Sequence, residues 1–110
     1  MKISKKQKAW LENTFKSLSL TIDNLKQILE QTTDPRVVFP VVNKVEDKIF
    51  KYVSAKHKIA GTYYSEEWTK DYRLLKHLIA IALIQEKPIA EKFLSDWLID
   101  DPEELEWITK

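Results

Sequence analysis

The chain has 110 residues, 44% of them apolar, and a net charge of +1, the length and composition of one domain with its own core. It has no cysteine, which excludes a disulfide scaffold, thiolate metal ligation and a cysteine nucleophile. Its single glycine, Gly61, excludes the glycine-rich phosphate cradles of P-loop and dinucleotide sites.

Ser4, followed three residues later by Gln7, predicts a capping box and a first helix from Lys5 to about Gln31. Its apolar residues Leu11, Phe15, Leu18, Ile22, Leu25 and Leu29 recur by fours and threes, a seam on one side of an α-helix and not the two-residue period of a strand. At 1.5 Å per residue this helix is about 40 Å long. Thr32, Thr33, Asp34 and Pro35 stop it. The second helix has two candidate starts, Asp34 with Pro35 and the later Pro40. A proline inside a helix costs about 3 kcal/mol, so the reading puts a turn or kink over 35–39 and a regular helix from Pro40 to Ala60. Val38, Val42, Val45, Ile49 and Tyr52 form its seam, and Gly61 takes the left-handed C-terminal position.

Ser65 followed by Glu66 and Glu67 predicts a third helix over Glu66–Glu86, with the seam Trp68, Tyr72, Leu75, Ile79 and Ala82. Its stretch Leu78–Ile84 is apolar all round, which predicts the central, most enclosed element. Pro88 opens a fourth helix to about Ile99, with Ile89, Phe93 and Trp97 spaced by fours. Asp101, Pro102 and Glu104 start a short fifth, with Leu105, Trp107 and Ile108 placed to dock. The expected fold is all-α, an antiparallel four-helix bundle with a short C-terminal fifth helix, residues 1–110 forming a single helical-bundle domain. The longest apolar run falls far short of the ~20 residues of a membrane span. No apolar stretch follows the basic N-terminus as in a signal peptide. A soluble, cytoplasmic protein with no membrane contact is expected.

The charge is polarised. Residues 1–16 carry a net +4 and residues 94–110 a net −5. In the acidic tail, Trp97, Asp100, Asp101, Glu103, Glu104 and Trp107 combine carboxylates with aromatic anchors, which suits docking to a protein with a basic surface. The first expectation is therefore a non-enzymatic interaction module, a small adaptor, inhibitor or assembly subunit. It docks through this region or through its long first helix, which also suits a homodimer. Trp10, Tyr63, Tyr64 and Trp107 are the aromatics expected to face a partner.

The alternative is a helical nucleic-acid-binding protein that uses Lys2, Lys5, Lys6 and Lys8 on phosphates and Trp10 on a base. A third reading starts from Arg73 and His77, four apart on one helical face. An Arg and a His side by side hold a phosphate and move a proton, the work of a metal-independent ribonuclease. The pair resembles the motif of the HEPN helical ribonucleases, an Arg, a polar residue, several more and then a His. The stretch from Arg73 to His77 is one residue short, and Leu74 stands in the polar place. Membership of that family is declined on those departures, and no catalytic residue is assigned. No metal or cofactor is expected, since the chain lacks both the Glu-x-x-His and the His-Glu-x-x-His spacings.

Overall fold

The computed structural model describes residues 3–110. The chain is all-α, with five α-helices and no strand among the described residues: α1 (Lys5–Gln31), α2 (Pro35–Ala60), α3 (Glu66–Glu86), the single turn α4 (Glu91–Leu94) and α5 (Pro102–Thr109). α1 starts where the capping box places it: Ser4 Oγ accepts from the Gln7 N–H at 3.1 Å and Gln7 Oε1 from the Ser4 N–H at 3.0 Å. α3 starts on Ser65, whose hydroxyl accepts from the Trp68 N–H at 3.2 Å. Gly61 ends α2 at φ +77°, a conformation that strains residues with a side chain.

α2 begins five residues before the expected start. Asp34 accepts from the Arg36 N–H at 3.0 Å, Pro35 takes the first helical position, and Pro40 lies inside the helix. Pro40 has no N–H to donate to the carbonyl four residues back, but that carbonyl belongs to the exposed Arg36, where solvent has access to it. The extra turn buries Val38 completely and brings Phe39 edge-on to Phe93 at 5.3 Å. Burying Val38 and setting Phe39, still 42% exposed, against Phe93 offset the proline.

The expected fourth helix is absent as a regular helix. Residues 88–97 form a 3₁₀ turn, the α4 turn and a second 3₁₀ turn, after which Leu98 is extended. The spacing explains why. A regular helix through Ile99 turns 200° between Trp97 and Ile99 and puts them on opposite sides. Unwinding after Trp97 lets both be buried, at 4% and 6% exposure.

The core sits on α2, not on α3. α2 buries Val38, Val42, Val45, Ile49, Val53, Ser54 and Ala55, whereas α3 buries only Ala80 and Leu83. Slim valines let neighbouring helices approach closely, and α2 packs against α1, α3 and α4. α1 runs back along α2, with Phe15 beside Tyr52, while the 88–97 coil and α5 lie on α3. The apolar run of α3 exceeds what its neighbours cover, so Leu78 stays half exposed. The molecule measures 45 × 34 × 20 Å with a radius of gyration of 15.0 Å. A compact chain of this length has about 13 Å, and 20 Å is about two helix diameters. The flat shape leaves parts of α1 and α2 uncovered on both faces.

Tyr72 stands on α3 edge-on to Phe50 and Trp68. Burial first, and then the carboxylates of Glu46 and Asp47, push its phenol up to about 12. The native state holds this proton more tightly than the unfolded chain, where tyrosine titrates near 10. Its stabilising contribution is complete below about pH 10 and is lost as pH rises toward about 12. Urea midpoints measured across that window should fall, and Tyr72→Phe should fall less. Equal falls in the two proteins would contradict the assignment.

Candidate functional site

The C-terminal region is fastened to α3 by the two side chains of the ribonuclease-like pair. Arg73 Nε donates to Glu104 Oε1 at 3.1 Å, and Arg73 Nη1 reaches the Trp97 carbonyl oxygen at 3.5 Å. His77 Nδ1 lies 3.0 Å from the Ile99 backbone nitrogen and accepts its N–H. The neutral ring therefore carries its proton on Nε2. The phosphate-holding face of Arg73 and one ring nitrogen of His77 are thus occupied by the chain itself.

Trp97, expected on a docking surface, is a core residue with the Lys76 ammonium 5.5 Å from its ring. A polar or aromatic residue in a charged tail reads as surface until the unwound turn after Trp97 is known. Asp101 caps α5 by accepting from the Glu103 N–H at 3.0 Å, and Glu104 is held by Arg73. Trp107 is exposed, but its indole N–H donates to Glu66 at 2.9 Å and Lys70 lies 5.0 Å from its ring. Of the six residues read as a docking set, Asp100, Asp101, Glu103 and Trp107 are exposed, Glu104 is half-buried and Trp97 is buried. Of the three apolar residues placed to dock α5, only Ile108 is buried.

The basic head divides. Lys2 lies outside the described residues. Lys5, Lys6 and Lys8 are all exposed, as is Trp10. At 100° per residue, Lys6 stands 40° from Trp10, whereas Lys5 and Lys8 stand 140° and 160° away. Lys6 and Trp10 line one hollow, together with Ser4 and Gln7. Lys5 and Lys8 belong to the other side of α1.

That other side carries an uncovered apolar groove between α1 and α2. Ile3, Leu11, Lys56, Ile59 and Ala60 line a hollow of about 400 Å³. A neighbouring one of about 310 Å³ is lined by Leu11, Glu12, Phe15 and Tyr52. Phe15 belongs to the predicted core seam, yet it is 53% exposed, and Ile3 is 50% exposed. A heptad seam marks which side of a helix is apolar but not how far a neighbouring helix reaches along it.

Sequence reasoning missed a polar cluster where α2 meets α3. His57 Nδ1 is 2.6 Å from Thr62 Oγ1, and His57 Nε2 is 3.0 Å from Asp71 Oδ2, which Lys56 Nζ also meets at 3.1 Å. The order hydroxyl, imidazole, carboxylate resembles a proton relay. The Asp71 oxygen is shared with Lys56, and the bonds fasten the end of α2 and its turn to α3. No helical spacing links residues 57, 62 and 71 across that turn, so the sequence carried no signal for them.

Among the described residues, no group of three His, Asp or Glu side chains stands ready for a metal, and no helix is long and apolar enough to cross a membrane. Compared with protein-family models, curated proteins and solved structures, the chain matches none.

Proposed function

We propose that the chain is a non-enzymatic protein–protein interaction module that docks through its long first helix. Residues 1–110 act in this reading as a single soluble, cytoplasmic domain. Its arrangement is that of an antiparallel bundle in which the 88–97 coil and α5 take the fourth and fifth positions. One observation carries the reading: Ile3, just before α1, Leu11 and Phe15 of α1, and Tyr52 and Ile59 of α2 form two adjoining apolar hollows that no described element of the chain covers. Scattered exposed apolar residues are ordinary, but a joined groove marks a binding surface.

Lys56 lines the first hollow and Glu12 the second, so the partner is a protein segment with apolar anchors and an acidic residue placed to meet Lys56. The exposed Leu105 and Glu103 of a second copy fit that description, which makes a homodimer one form of the module. The observations on Arg73 and His77 give the ribonuclease reading no support, because both are engaged in holding the C-terminal segment.

Phe15→Glu combined with Ile59→Glu should keep the fold, since Phe15 lies open to solvent and Ile59 is half-buried outside the main core. It should lose the heavier species that the wild type forms in light scattering, alone or with the protein that co-elutes from the source cell. Unchanged complexes with the double variant would refute docking through this groove.

A further inference from the structure

The opposite side of the α1–α2 pair carries a second trough of different chemistry. Three adjoining hollows follow one another along it. The first, about 500 Å³, holds Lys6 and Trp10. The second runs from Trp10 and Thr14 to Lys51 and Lys58, and the third from Thr14 to Lys48 and Lys51. Trp10 is shared by the first two and Lys51 by the last two, so the trough is continuous. Four lysines line it and no carboxylate does.

The sequence carries the reason. Lys44, Lys48, Lys51 and Lys58 repeat along α2 at the same four-and-three spacing as its valine seam, offset to another side of the helix. Lys51 is paired with Asp47 at 3.1 Å, an exposed pair that a phosphate readily displaces. The Lys58 ammonium lies 4.6 Å from the Tyr63 ring, where it stays positioned at the trough's end. Trp10, 42% exposed, lines both of the first two hollows.

We infer that this trough binds single-stranded nucleic acid, with Lys6, Lys48, Lys51 and Lys58 on phosphates and Trp10 stacked on a base. The lysines give the sequence-independent attraction and the indole gives a platform that every base fits. Packed helices lie about 8–10 Å apart, so the trough between α1 and α2 takes one strand and not a duplex. Beyond Trp10, Phe50 and Ala55 the lining is lysine, hydroxyl and amide, which suits phosphate oxygens. The site is independent of the protein-docking groove, which uses the opposite face of α1.

The test is fluorescence anisotropy with a labelled oligothymidine and a labelled oligouridine over a range of salt. Binding should weaken with salt at a slope of about −2.8 in log affinity against log salt, at about −0.7 for each of four phosphates. Trp10→Ala should lose about tenfold in affinity with the slope unchanged, and Trp10→Phe should lose much less. Lys51→Glu with Lys58→Glu should shrink the slope, while Lys5→Glu with Lys8→Glu, on the far face, should leave affinity within about threefold. The inference is overturned if neither strand binds at low salt. A duplex binding more tightly than the single strand, or a polyglutamate chain of equal charge binding as well, overturns it too. The Trp10 and the Lys51 with Lys58 variants leave the Phe15 groove untouched.

Discussion

Trp97→Ala should destabilise the protein by about 3–5 kcal/mol, the cost of emptying a buried indole-sized site. The side chain is 4% exposed and belongs to the main core cluster with Phe93 and Leu94. Lys76 lies above its ring, and its carbonyl oxygen receives Arg73. For a domain of typical stability this is a third or more of the total. Urea unfolding measures it. The urea midpoint should drop sharply with little change in slope. A surface anchor for a partner would give the opposite pattern, an unchanged midpoint and a lost complex. A loss under about 1 kcal/mol would show that Trp97 does not stand in the core.

The second large effect concerns Arg73 and His77. Replacing His77 with Leu leaves the Ile99 N–H without its acceptor, which costs about 1–3 kcal/mol. Removing Arg73 breaks a partly exposed pair with Glu104, worth up to about 1 kcal/mol. Together the double change should cost about 1–4 kcal/mol. The loss should be local: hydrogen exchange should accelerate from Leu98 through α5 and stay slow in the middle of α1 and α2. The same variant decides the catalytic alternative. A ribonuclease would lose RNA cleavage while keeping its stability and tail protection. A clamp loses the protection and has no cleavage to lose.

Local signals with a strong mechanism survived folding. The Ser4, Ser65 and Asp101 caps, the Gly61 stop and the all-α class were legible because each rests on a few adjacent residues. Pro40 was misjudged because the penalty of a proline is local, whereas the gain that offsets it, burying Val38 and placing Phe39 on Phe93, comes from distant residues. The coil after Pro88 was hidden for a similar reason: only the joint burial of Trp97 and Ile99 forces the helix to unwind. The exchange of centre between α3 and α2 has the same origin. An all-apolar run shows what a helix tolerates around it, not which neighbours arrive.

The candidate sites were legible in proportion to their locality. Trp10 and Lys6 share a helical face by spacing alone. Lys51 and Lys58 join them only once α2 is folded against α1. Phe15 read as core because its seam continues smoothly from Leu11 to Leu18, and nothing in that rhythm says that the covering helix is missing there. The acidic tail read as a free surface because the partners that use it, Arg73, His77 and Glu66, lie more than twenty residues away.

The central claim is that the uncovered face of α1 is where a partner sits. It is tested most directly by placing a photo-crosslinking phenylalanine derivative at position 15, and separately at Leu105, in the source cell. Position 15 should give a protein adduct, either with a second copy of the chain or with one discrete partner, and lose it when Ile59→Glu is added. Adducts from position 105 alone, with none from position 15, would contradict it.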